Sequence, residues 1–302
     1  MPAFVTSDQY SSSRALAAAL EPTIGQVYFA PEAHAAYRAL GFSDSPATFD
    51  GLAMPDGAAY FTSRGSLMGQ VAPTAIAATF AVFNPTAVIP AVEYGWSLTD
   101  AATIRGARAG AGADQLRRVL GDVPLADVER AATMLGATLS SMRPEGRSLF
   151  AGALYFFDEP SDPWARYFAL GDIVREYRGD SHTAAWIAAG VDATEINLLS
   201  ERYIGIPARS YARTRAWNDE QFDAAVDRLQ TRGWFDTNAD LTDAGRAGRE
   251  AIEAATDAQM ASVVASIGNN LDEFIALIEP WGAAVRAAKG YPANAVDLWP
   301  NR

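Results

Sequence analysis

The sequence predicts a mainly helical, multi-helical protein, and three observations predict it. Apolar residues recur at three- and four-residue spacing through most of the chain. Capping residues and helix stops punctuate that pattern. Sustained alternation with a period of two is scarce, so a large sheet is not expected. At 302 residues, with 49% hydrophobic and 20% charged, the chain has the composition of a globular protein and the length of one large or two medium domains.

Taken in order, Ser11-Ser12-Ser13 caps a helix through Arg14–Ala19, with Pro22 at its end. Pro31 opens a second helix from its first turn, and Gly41 stops it. Residues 42–57, rich in Ser, Asp, Pro and Gly, read as a loop. Helices are expected over 58–68, 73–83, 86–94, 99–120 and 124–141. A turn follows at Pro144-Glu145-Gly146, and then an extended segment at Leu149–Phe157. Trp164–Tyr177 reads as a helix that Arg178-Gly179-Asp180 interrupts. His182–Ala189 and Asp192–Tyr203 are helical again. This divides the chain into a helical N-terminal domain (1–157), a second domain (158–290) and a tail (291–302). The first of these domains is too apolar at its end, Leu149–Phe157, for the connection to be a free linker.

A weak echo links Tyr28–Gly41, containing His34-Ala-Ala-Tyr37, to Tyr177–Gly190, containing His182-Thr-Ala-Ala-Trp186. Chance similarity in an alanine-rich chain explains it, and so does a duplication that gives two pseudo-symmetric halves.

Charge and composition exclude several function classes. The net charge is -12, which repels a phosphate backbone or an anionic membrane surface unless the cations cluster. There are no cysteines and only two histidines, His34 and His182, so no metal site and no cofactor is expected. No nucleotide loop or nucleophile elbow occurs. Met1–Tyr10 lacks a basic stretch followed by an apolar run, and no uninterrupted apolar stretch reaches the roughly 18 residues of a membrane span. A soluble, cytoplasmic protein is the expectation.

Asn218 to Met260 carries the most specific pattern. Asn218 caps a helix that presents Phe222, Ala225, Val226 and Leu229 on one face and ends at Gly233. Trp234-Phe235 and Leu241-Thr242 flank a short polar turn, and Asp243-Ala-Gly245-Arg246 starts a long helix. This order closely resembles the recognition helix, wing and Leu-Thr-x-x-Gly helix start of MarR-type winged-helix regulators. The longer run Tyr28-Phe-Ala-Pro-Glu-Ala33, Tyr60-Phe-Thr-Ser-Arg-Gly-Ser-Leu-Met-Gly69, Phe83-Asn-Pro85 and Arg175-Glu-Tyr-Arg-Gly-Asp-Ser-His182 is similar to a helix-turn-helix-like family common in actinobacteria, across residues 18–288. Phe61-Thr-Ser-Arg64 departs from that family's more usual Phe-Ala-Gly-Arg. The resemblance implies a fold, with 1–157 as a degenerate winged-helix-like half and 158–290 as a winged helix with long flanking helices. It implies no activity.

In such a fold the recognition helix enters the major groove and must present cations or neutral donors. Here that helix carries Asp219, Glu220, Asp223 and Asp227 against Arg228 and Arg232, with phosphates inside a Debye length of about 10 Å. Nucleic acid is therefore an unlikely partner. The counter-candidate for DNA contact is Arg209, Arg213 and Arg215.

Arg175, Arg178, Asp180 and His182 form the densest ionisable cluster. Asp180 is positioned to orient His182 and raise its basicity for general-base work, and Arg178 to hold an anion bidentately. A structural salt-bridge network is the equal alternative. Glu195 and Arg64 are the other candidate ligand-binding residues, because an arginine in the small, apolar helix 58–69 needs a partner. The first functional expectation is a protein binding an anionic or aromatic small molecule on a winged-helix scaffold with lost or weakened DNA binding. The alternatives are a DNA-binding transcriptional regulator and a metal-free enzyme with His182 as its base. A second copy of the chain is a further candidate partner.

Overall fold

The computed structural model describes residues 7–49 and 51–292. The chain is built from helices α1 (Ser7–Ile24), α2 (Pro31–Ala39), α3 (Gly57–Gly65), α4 (Pro73–Thr79), α5 (Pro85–Leu98), α6 (Ala101–Val119) and α7 (Leu125–Gly136). They are followed by α8 (Ser148–Tyr155), α9 (Pro163–Ala188), α10 (Ala193–Ile204), α11 (Asp219–Thr231), α12 (Asp243–Gln259), α13 (Ala261–Ile267) and α14 (Leu271–Ala287). Many helix starts are fixed by short polar side chains that accept an otherwise unpaired backbone N–H: Asp56 from Ala59, Asp100 from Thr103, Asp162 from Ala165 and Thr242 from Gly245. Asp192 with Glu195, and Asn218 with Gln221, form complete capping boxes on α10 and α11.

Four local expectations change. Residues 42–57 are not wholly loop: Thr48–Phe49 pairs antiparallel with Leu52–Ala53 across Gly51, whose φ is +81°. Pro22 lies inside α1, which continues to Ile24. The extended segment expected at Leu149–Phe157 is helix α8. Leu149, Phe150 and Ala153 lie on its buried face, a spacing a short apolar run does not distinguish from a strand. Arg178-Gly179-Asp180 does not interrupt anything: α9 runs unbroken for 26 residues. Packing on both sides outweighs the helix-weakening cost of Gly179, about 1 kcal/mol.

Helix α9 is the axis of the molecule and packs against α1, α6, α7, α8 and α12. Its first five turns lie in a large core that joins the N-terminal helices to α13 and α14 through Leu20, Ile24, Phe150, Phe168, Phe274 and Trp281. Its last turn, with Ala185 and Trp186, enters a second core with Leu199, Phe222, Leu229, Phe235 and Ile252. The larger core draws on residues from both sides of residue 157, and the buried members of the smaller one lie within 185–252, with Ala81 and Val82 packed against them. The echo segments fall on unlike elements: 28–41 covers a 3-10 turn and α2, whereas 177–190 is the end of α9. Residues of the tail from 293 on lie outside the described residues.

In the smaller core, α10 and α11 pack together, and the chain after α11 doubles back in a single antiparallel bridge, Phe235 with Leu241. Gly245 explains its place after Leu241-Thr242. A Cβ there would sit 2.1 Å from the Trp234 carbonyl oxygen, so only glycine lets α12 start against that strand.

One segment, Ala261–Ala287, is long and apolar enough by length and composition to cross a membrane, which the uninterrupted-stretch criterion did not detect. In the fold it divides at Gly268 (φ +60°). The α14 side chains Phe274, Ile278, Trp281 and Val285 are buried, and α14 packs on α1 and α7.

Candidate functional site

The charged residues of α9 fall on two faces. Asp172, Arg175 and Glu176, at helical spacing, look toward α1, α3 and α6. On α3, Arg64 grips Glu176 at two points, Nε to Oε1 at 3.0 Å and Nη2 to Oε2 at 2.7 Å. Arg175 grips Glu21 of α1 in the same way, through Nε at 2.8 Å and Nη2 at 3.0 Å. Its Nη1 donates to the Tyr28 hydroxyl and to Glu176 Oε1, both at 3.2 Å. Arg108 of α6 donates to Asp172 Oδ1 at 3.0 Å and to the Tyr28 hydroxyl at 3.2 Å. The Tyr291 hydroxyl lies 3.1 Å from Glu21 Oε1.

An aromatic wall backs these groups. Tyr28 packs on Tyr60 at 4.9 Å between ring centroids, and Tyr60 on Phe83 at 5.7 Å. Arg64 stacks over Phe80 at 4.8 Å. The last member comes from the segment joining α10 to α11. Asn84 fixes it by donating its backbone N–H to the Arg215 carbonyl (2.9 Å) and its side-chain amide to the Ala216 carbonyl (3.1 Å). Trp217 adds a bond to the Val82 carbonyl at 2.8 Å. The Arg215 guanidinium is thereby placed against the rings of Tyr211 (4.0 Å) and Phe83 (4.6 Å). Nη1 donates to Thr214 Oγ1 at 2.9 Å, and Nε is buried without a hydrogen-bond partner. Among the described residues no carboxylate pairs with Arg215.

Solvent reaches this crevice, since the side chains of Arg64, Arg175 and Glu21 are 15%, 22% and 17% exposed while Glu176 is fully buried. The electrostatics follow from the geometry. Against the cost of burial, Arg64 and Arg175 hold the Glu176 carboxyl down to about 2. Burial raises the Asp172 carboxyl despite Arg108, and raises the Tyr28 hydroxyl to about 12. Burial, with Arg64 and Arg175 as like charges, lowers the Arg215 guanidinium to about 10. A donor set of guanidiniums and phenols suits an anion, and the carboxylates beside it are already paired with arginines.

The opposite face of α9 is the candidate cluster read from the sequence, and the structure disperses it. Arg178 pairs with Glu253 (3.2 Å) and Asp257 (3.4 Å) of α12. His182 Nδ1 lies 3.1 Å from Thr256 Oγ1 and 3.8 Å from Glu253. Asp180 does not orient His182. It accepts the Phe150 N–H at the start of α8, at 3.0 Å, and burial raises its carboxyl to about 6. Nor is His182 made more basic, because burial pushes it down to about 3 despite Glu253. Arg64 joins Glu176 rather than this group. Glu195 is consumed by its capping box and by Arg228 at 3.2 Å.

Of the three arginines considered for DNA, Arg209 pairs with Asp219 (3.2 Å) and Asp223 (2.5 Å), and Arg213 pairs with Asp219 (2.7 Å). Arg215 points inward. Sequence reasoning overlooked Glu21, Arg108, Asp172 and Glu176. The i, i+3, i+4 spacing of Asp172, Arg175 and Glu176 was the available signal, but their partners are far away in the chain. A separate groove, about 530 Å³, lies on the surface between the start of α10 and the end of α11. Its cations are already engaged: Arg228 by Asp192 and Glu195, and Arg232 by the Gly190 carbonyl.

The scaffold is mainly helical, and α11 and α12 are joined across the isolated Phe235–Leu241 bridge. A family model described as a helix-turn-helix family matches residues 13–292, nearly the whole chain, and the chain belongs to that family. Membership is compatible with a DNA-binding, regulator-like function. No curated protein and no solved structure matches the chain.

Proposed function

We propose that this protein binds a small acidic molecule in the crevice between α1, α3, α9 and the α10–α11 segment. We further propose that it does so on a MarR-like winged-helix scaffold whose DNA binding is lost or weakened. The observation that carries this reading is Arg215, a half-buried cation with no carboxylate partner, held beside Arg64 and Arg175. Burying an ion without a counter-charge costs several kcal/mol, and an anionic ligand offsets that cost. The winged-helix part rests on the order α10, α11, Phe235–Leu241 bridge and α12. Weakened DNA binding rests on α11, which exposes Asp219, Glu220 and Asp223 while its flanking arginines are spent on those acids. Phosphate neutralisation supplies most non-specific DNA affinity, and this surface offers little of it.

The family match favours a second reading, a DNA-binding regulator. The general-base reading of His182 has the least support, since a group titrating near 3 is a poor base at neutral pH. Two measurements on the intact protein decide. Thermal shift against a panel of organic acids is expected to show stabilisation, and mobility shift against its own upstream DNA to show no complex at physiological salt. A sub-micromolar DNA complex overturns the first reading in favour of the second.

A further inference from the structure

We infer that the ligand of this crevice is a monocarboxylate, gripped at two points by the Nε and Nη2 edge of Arg215. The inference rests on the ligand-binding reading above. It starts from a comparison of three guanidiniums in one place. Arg64 uses its Nε/Nη2 edge to hold Glu176, and Arg175 uses the same edge to hold Glu21. This is the side-on geometry that matches the two oxygens of a carboxylate. On Arg215 only Nη1 is engaged with a protein atom, Thr214 Oγ1. The rings of Phe83 and Tyr211 pack on the Arg215 guanidinium, and its Nε/Nη2 edge makes no hydrogen bond to another described residue, which leaves that edge for an anion.

Charge sets the valence. Among the described residues the crevice gathers Arg64, Arg108, Arg175 and Arg215 against Glu21, Asp172 and Glu176, which leaves one positive charge in excess. A monocarboxylate cancels it. A phosphate dianion adds a second negative charge beside three acids, and the unpartnered guanidinium nitrogens of Arg108, Nε and Nη1, are buried. The wall of Tyr28, Tyr60 and Phe83 then gives the acid an apolar surface for its body.

The test titrates the intact protein with sodium benzoate, sodium butyrate, benzamide and inorganic phosphate at constant ionic strength. It is read by thermal shift and by arginine side-chain 15N–1H NMR. Benzoate or butyrate is expected to raise the melting temperature and to move the Arg215 Nε–H resonance. Benzamide, with the shape of benzoate and no charge, is expected to do neither. Arg215→Gln should weaken carboxylate binding at least tenfold, whereas Arg246→Gln, an exposed arginine on α12, leaves it unchanged. Phosphate moving Arg215 while the carboxylates do not overturns the inference and leaves the ligand-binding reading intact. If no anion moves Arg215, both fall. Should Arg215→Gln fail to fold, the NMR titration of the wild type decides alone.

Discussion

Helix α9 carries two charged faces of opposite character, and the contrast separates a site from a structural joint. On one face Arg178 and His182 meet Glu253 and Asp257 of α12. With Arg14, Arg249 and Glu250 nearby, that junction sets three arginines against three acids, and burial keeps His182 neutral. On the other face, among the described residues, Arg64, Arg108, Arg175 and Arg215 meet Glu21, Asp172 and Glu176 alone as acids, beside tyrosines that solvent reaches. The density of ionisable residues in the sequence is higher at the junction. What marks the crevice is its imbalance and its access to solvent.

The largest expected effect tests whether both faces are held by the same physics. Glu176→Gln leaves Arg64 without its acid beside Arg175, which keeps Glu21, and Glu253→Gln leaves Arg249 without its acid beside Arg178, which keeps Asp257. Each is expected to lose about 3–5 kcal/mol in urea unfolding, as for broken buried ion pairs. The two should part over a carboxylate probe: Glu253→Gln keeps the ligand-induced shift of the wild type, and Glu176→Gln, by altering the grip on Arg64, changes it. Equal behaviour toward the probe would dissolve the distinction.

Local pattern carried much of the fold and little of the site. The caps at Asn218 and Thr242 and the spacing of Phe222, Ala225 and Leu229 are local signals, and α11 and α12 follow from them. The expected strand at Leu149–Phe157 failed because a short apolar run has the same appearance in a buried helix, and the acid that caps it, Asp180, is thirty residues away. Arg64 was recognisable as an arginine in need of a partner. That the partner is Glu176, 112 residues on, depends on how α3 meets α9. Asp180 and His182, two residues apart, point away from each other on a helix. The sequence suggested a glycine break there, and packing removed it.

A smaller effect sharpens the reading of the helix–hairpin–helix unit. Gly245→Ala drives a Cβ into the Trp234 carbonyl, which belongs to backbone and cannot rotate away. The cost is expected to be about 1–3 kcal/mol, as for overpacked cores. Hydrogen exchange should rise in 234–260 and leave the crevice residues of α3 unchanged. Loss of protection across α3 and α9 would show that the two cores do not unfold separately.

The pH dependence of stability separates the two faces further. His182 has a depressed folded value, about 3 against an ordinary 6.5. Its stabilising contribution is therefore complete above 6.5 and is lost as pH falls toward 3. Between pH 6.5 and 5 the loss is about 2 kcal/mol. Asp180 is raised to about 6 from an ordinary 3.8, so its contribution has the opposite sign: it is complete below 3.8 and lost as pH rises through 6. His182→Gln is expected to flatten the acid limb between pH 6.5 and 5, and Asp180→Asn to steepen it. Urea midpoints across that range read both.

The smallest expected effect lies where a DNA-binding protein would show a large one. Arg209 and Arg213 hold Asp219 and Asp223 in pairs whose acids are more than half exposed. Exposed pairs contribute about 0–1 kcal/mol, so the double variant Arg209→Ala/Arg213→Ala should melt within a few degrees of the wild type. Any retention of duplex DNA at low salt should also be unchanged, because cations already neutralised by neighbouring acids release few counter-ions from a phosphate backbone. If instead these arginines contact phosphates, each contributes a slope of about 0.9 in the logarithm of affinity against the logarithm of salt. The double variant would then lose about two units of slope. A fluorescence anisotropy titration at several salt concentrations distinguishes the outcomes, and a loss of that size would return α11 to the major groove and make the crevice a regulatory site.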